Sequence, residues 1–68
     1  MSNKNKYSSF KVECDIEDYN SNPPKKEIKT LYINAQNEQE AERKAKYYYI
    51  LEKENFAFYG VKSINKLK

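Results

Sequence analysis

Phe10, Val12, Cys14 and Ile16 alternate without a break with Lys11, Glu13, Asp15 and Glu17. An apolar set and a charged set at period two describe a β-strand with one buried and one solvated face. A helix would scatter the apolar set around its circumference. The chain must therefore build a sheet and supply something apolar to cover one side of it.

The remaining segments supply those parts. Tyr19-Asn20-Ser21-Asn22-Pro23-Pro24-Lys25-Lys26 is the one concentrated cluster of turn residues and holds both prolines, which predicts a hairpin-type connection. Glu27 to Ala35 is rich in β-branched and aromatic residues and reads as a second strand. Leu31 and Ile33 are assigned to its core face. Tyr32 then falls on the open face, unless a bulge near Lys29 changes the register.

Asn37, three residues before Glu40, marks a helix start in the manner of a capping box. Acidic residues Glu38, Glu40 and Glu42 precede Arg43, Lys44, Lys46 and Lys53, an order that complements the helix dipole. Glu40 with Lys44 and Glu42 with Lys46 have the i,i+4 spacing of helical ion pairs. Phe56 to Ile64 is β-like and changes parity around Gly60, where a bulge is expected. Val61, Ile64 and Leu67 would anchor this last strand, with Asn65 to Lys68 fraying.

Strand, strand, helix, strand is the order. The expected fold is a two-layer α+β domain: a three-stranded antiparallel sheet, strand order 2-1-3, with one helix on one face. The element set resembles the arm-binding domains of phage-type tyrosine integrases, whose helix follows all three strands, whereas the Ala41-to-Ala45 segment here precedes the last. With 68 residues, the chain permits a single domain over 1–68, with 1–6 and 67–68 frayed. A domain of this size buries only about 60% of the surface its unfolded chain exposes.

Several chemistries fall away. One Cys and no His cannot supply a structural zinc site or an imidazole-based hydrolase. The single glycine rules out a glycine-rich phosphate loop. Cys14 belongs to the buried set and reads as a small core hydrophobe. Glu13, Asp15 and Glu17 share a strand face, and a row of alternating acids is read as a solvated surface. The expectation is a non-enzymatic protein with no catalytic residue, metal or cofactor. No run approaches the roughly 20 apolar residues of a membrane span, and no signal peptide is recognisable, so a cytoplasmic protein without membrane contact is expected. The richness in Lys, Asn, Ile and Tyr resembles the product of an A/T-rich genome, such as that of a low-GC bacterium or one of its phages or plasmids, and a phage or other mobile element is the expected source.

The run Tyr47-Tyr48-Tyr49 lies inside the helix. With Ala41 at zero and roughly 100° per residue, Ala45 falls near 40°, Tyr49 near 80°, Tyr48 near 340° and Leu51 near 280°. These five are assigned to the sheet-facing stripe, with Tyr48 in the core and Tyr49 at its margin. Tyr47 and Ile50 fall near 240° and 180°, on the side of Arg43. Phe56 or Phe58 folds back over Ile50, or Tyr47, Ile50, Tyr59 and Arg43 form a partner-binding surface, or the exposed ring stacks on nucleic-acid bases with Arg43 and Lys46 flanking it.

The functional expectation is an interaction protein that binds, and by occlusion inhibits, a host protein. The alternative is a nucleic-acid-binding accessory factor with phosphate contacts from Lys62, Lys66 and Lys68, since 13 basic and 10 acidic residues leave a mild positive balance. Nucleic acid on the open sheet face is disfavoured by its carboxylates. Self-association as a homodimer through an edge strand is a third reading.

Overall fold

A computed structural model describes residues 6–67. Four elements follow in order, β1 (Ser8–Asp18), β2 (Lys25–Ala35), α1 (Glu38–Leu51) and β3 (Phe56–Lys66). The strands form one antiparallel sheet in order β2-β1-β3, and α1 packs on one face of it, chiefly against β3. This is the two-layer α+β arrangement expected from the alternation.

Phe10, Val12, Cys14 and Ile16 of β1 are buried with Ala35, Ala41, Ala45 and Tyr49, and form the core. Leu31 and Ile33 of β2 and Phe56, Phe58, Val61 and Ile64 of β3 close around it, partly buried. Opposite residues in an antiparallel pair share a face. The register therefore puts Ile33 and Leu31 on the core side, against Phe10 and Val12, and Tyr32, Thr30 and Ile28 on the open side, against Lys11, Glu13 and Asp15. The β1–β2 register runs without a shift, so the bulge weighed near Lys29 is not formed, and Tyr32 lies on the open face. The connection between these strands contains a cis Asn22–Pro23 bond.

β3 is irregular where glycine sits. Its register against β1 shifts between Glu13 and Cys14 and again between Asp15 and Ile16, with Gly60 lying between the two shifts, opposite Asp15. Gly60 has φ of 149°, a conformation L side chains rarely adopt, although an added Cβ would meet nothing within 4 Å. Its requirement is conformational. The strand then continues to Lys66, and the Leu67 N–H donates to the Ser9 carbonyl at 2.8 Å. Asn65 and Lys66 are thus paired within the strand and Leu67 is bonded beyond it, where fraying from Asn65 was expected; residues 1–5 and 68 lie outside the described residues.

At the start of α1 the Glu40 N–H donates to Asn37 Oδ1 at 2.8 Å, satisfying one of the orphan donors of the first turn. Glu40 reaches back one residue further than a capping box requires, its Oε1 accepting from the Gln36 N–H at 2.6 Å. Asn37→Ala is expected to cost about 1 kcal/mol, read as a lower urea midpoint with an unchanged slope. An unchanged midpoint would show that the cap contributes nothing. The Glu40–Lys44 ion pair does not form, because Lys44 Nζ donates instead to the Asn34 carbonyl at 2.7 Å. Glu42–Lys46 is likewise unformed: among the described residues the ion pair is Lys29 with Glu27, at 4.0 Å.

The phase of the helix corrects the wheel. Ala41, Ala45 and Tyr49 are buried, Tyr49 to 3%, whereas Tyr48 is 48% and Leu51 66% exposed. The buried set is strictly i, i+4, i+8, a row that advances about 40° per step on the wheel. The helix leans over β3, where aromatic rings meet Tyr49: Phe56 edge-on at 5.5 Å and Phe58 stacked at 5.8 Å between centroids. Those rings serve Tyr49 and leave Ile50 exposed.

Candidate functional site

Because α1 leans toward β3, its opposite flank is left largely uncovered among the described residues. Arg43, Lys44, Tyr47, Tyr48 and Leu51, spaced at helical i, i+3 and i+4 intervals, line an open groove of about 450 Å³ along it. Tyr47 is 60% exposed, so this flank presents three large apolar side chains to solvent. Lys44 fixes where it lies, since its bond to Asn34 ties the flank to the β2 side of the sheet. Lys44 Nζ also sits 5.2 Å from the Tyr7 ring centroid, a cation–π contact. Tyr48 packs edge-on against Tyr49 at 5.0 Å, which anchors one wall of the groove to the core. A shallower polar hollow of about 260 Å³, lined by Gln39, Glu42, Arg43 and Lys46, adjoins it through Arg43.

Of the residues expected to form a partner surface, Arg43 and Tyr47 meet in this groove. Ile50 is exposed but does not line it. Tyr59 belongs to the other layer. It lies at the second β3 bulge, where its hydroxyl donates to Glu17 Oε1 at 2.7 Å, with Lys26 Nζ 4.9 Å from its ring centroid. Glu17 and Lys26 are opposite one another across β1 and β2, so the three side chains form a strip across the open face. The hydrogen bond to Glu17 is the main reason the Tyr59 phenol is held above its ordinary pKa. Sequence reasoning missed Tyr48, Leu51 and Lys44 as groove residues. The spacing Lys44-Tyr47-Tyr48-Leu51 carried the signal, and the wheel phase hid it.

Two of the three carboxylates on the open face of β1 have local partners. Glu13 Oε1 accepts from Ser63 Oγ at 2.8 Å and Glu17 from Tyr59. Among the described residues no group of three or more acidic, Cys or His residues is placed to hold a metal ion. Cys14 is fully buried, and burial pushes its thiol up to about 11, the opposite of what a nucleophile needs. Lys62 and Lys66 are exposed on β3, and Lys68 lies outside the described residues. No helix among the described residues is long and apolar enough to cross a membrane. Comparison of the chain with protein-family models, with curated proteins and with solved structures returns no match.

Proposed function

We propose that the chain is a non-enzymatic binding module of the cytoplasm, encoded by a phage or mobile element, that inhibits a host protein by occluding its surface through the exposed flank of α1. The observation that carries this reading is the row Tyr47, Tyr48 and Leu51, all exposed on one side of a helix in a chain this small. Tyrosine combines large rigid contact area with a polar tip and is favoured among the few residues that dominate binding energy. Arg43 and Lys44 border the row, so the matching partner offers an apolar anchor flanked by carboxylates.

The test is capture of partners from a host lysate, with and without nuclease, by the native chain and by Tyr47→Ala/Leu51→Ala. Both side chains are exposed, so the variant is expected to keep its stability within about 0.5 kcal/mol. Loss of a central anchor typically weakens binding by more than 2 kcal/mol, roughly thirtyfold. A protein captured by the native chain and lost by the folded variant supports the reading. Retention by the variant overturns it. Loss of every partner on nuclease treatment, together with a steep fall in binding as salt rises, would replace it with phosphate binding through Lys62 and Lys66.

A further inference from the structure

The backbone of β2 points to a second contact surface. The Leu67 N–H donates to the Ser9 carbonyl, and the Tyr19 N–H donates to the Asn55 carbonyl at 2.9 Å. Odd-numbered residues of β1 therefore direct their backbone groups toward β3, and even-numbered ones toward β2. Even-numbered Phe10, Val12, Cys14 and Ile16 stand opposite Ile33, Leu31, Lys29 and Glu27. It follows that Lys26, Ile28, Thr30, Tyr32 and Asn34 turn their N–H and C=O groups outward, along the edge of β2 that no strand among the described residues covers. Lys44 occupies the Asn34 carbonyl. The stretch left open runs from Lys26 to Tyr32.

We infer that the chain forms a twofold homodimer by antiparallel pairing of β2 with β2 of a second copy, with Thr30 on the axis. A centre at Thr30 pairs Ile28, Thr30 and Tyr32 among themselves and leaves Lys26 and Asn34 at the ends of the ladder. Thr30 meets Thr30 of the second copy and Ile28 meets its Tyr32, each such pair exchanging two hydrogen bonds. This accounts for two exposed apolar side chains on the open face, Ile28 at 44% and Tyr32 at 69%. In the dimer they lie directly across from one another, with no charge between them.

Charge decides among the neighbouring registers. A centre at Lys29 would set two lysines directly opposite, which is destabilising. A centre at Leu31 would set Ile28 opposite Asn34, whose carbonyl Lys44 holds, whereas a centre at Thr30 leaves Asn34 to the end of the ladder. Centring on Thr30 places Lys29 opposite Leu31 of the second copy, where its aliphatic stem can cover apolar surface while its ammonium stays near Glu27. Lys29 is itself an edge-protecting charge; here it selects the register. The surface used is distinct from the groove on α1, so the inference stands whether or not that groove docks a host protein.

Sedimentation from micromolar to millimolar protein tests it. The native chain is expected to shift from monomer to dimer. Thr30→Pro is the discriminating variant, because the N–H it removes points outward and proline is tolerated at such edge positions. It should remain monomeric throughout with an unchanged circular dichroism spectrum. Thr30→Lys places two ammonium groups on the axis and should do the same, and it decides the matter if the proline variant fails to fold. Thr30→Cys should oxidise to a covalent dimer, as the opposed Cα atoms of such a pair are about 5.5 Å apart. Ile28→Cys, far from its own copy, should not. A native chain that stays monomeric at every concentration overturns the inference. So does a folded Thr30→Lys chain that still dimerises, or a dimer that cross-links through position 28 and not through 30.

Discussion

Tyr49→Ala is expected to leave the chain largely unfolded at physiological temperature. Truncating a buried large aromatic costs about 3–5 kcal/mol through lost transfer energy and the cavity left behind. Tyr49 also loses its edge contact with Phe56 and its stack on Phe58, each worth about 0.5–1.5 kcal/mol. At roughly 0.05–0.15 kcal/mol per residue, a chain of this length has only about 3–10 kcal/mol to lose. A small domain loses about 4–8 °C of melting temperature per kcal/mol, so thermal melts followed by circular dichroism should fall by more than about 12 °C, or show no transition. The neighbouring Tyr48→Ala should cost no more than about 1 kcal/mol, its loss being one edge contact with Tyr49. Equal losses from the two variants would mean that the helix phase described above is wrong.

A rise in pH is expected to weaken the fold from about pH 9 upward. Burial raises the Cys14 thiol from 9.0 to about 11. Tyr49 goes from 10.0 to about 12, again chiefly through burial, with the neighbouring Cys14 charge second. Both protons are held more tightly by the folded chain than by the unfolded one. Their contribution is therefore complete below pH 9 and is lost as pH climbs through the folded values. Two pKa units correspond to about 3 kcal/mol, so Cys14 alone removes most of that amount by pH 11. Tyr49 adds a comparable loss by pH 12, and the two are coupled because each charge disfavours the other. Urea unfolding at pH 8 and at pH 11 reads the effect. Cys14→Ala should start from a lower midpoint but keep it up to about pH 10, above which Tyr49 and Tyr59, both held above the ordinary tyrosine value, begin to cost stability. A native midpoint equal at pH 8 and pH 11 would contradict the burial of both groups.

β1 was legible because its alternation is strict and one period explains every residue from Phe10 to Glu17. The strand order 2-1-3 followed from giving the cleanest strand the centre, and the helix start from Asn37 and Glu40. What could not be read was whatever depends on a neighbour distant in sequence. Tyr48 and Tyr49 exchanged roles because the lean of α1 is set by Phe56 and Phe58, whose positions in space a helical wheel does not contain. The Glu40–Lys44 pair was lost to a carbonyl ten residues before Lys44, in β2. Tyr59 parted from Tyr47 because side-chain parity in β3 changes at bulges whose placement depends on the β1 ladder. The candidate surface was half legible: Arg43 and Tyr47 were found, whereas Tyr48, Leu51 and Lys44 needed the helix phase.

The register shifts around Gly60 limit how large an assembly this sheet can build. A strand that departs from regular pairing twice offers no long, straight row of backbone groups, and such irregularity is one way an edge is kept from templating another chain. β2 has no such interruption. In the dimer inferred above, both ends of the combined six-stranded sheet would be β3 strands, whose interruptions disfavour pairing with a further chain. Growth would then stop at a closed pair instead of running on into a fibre.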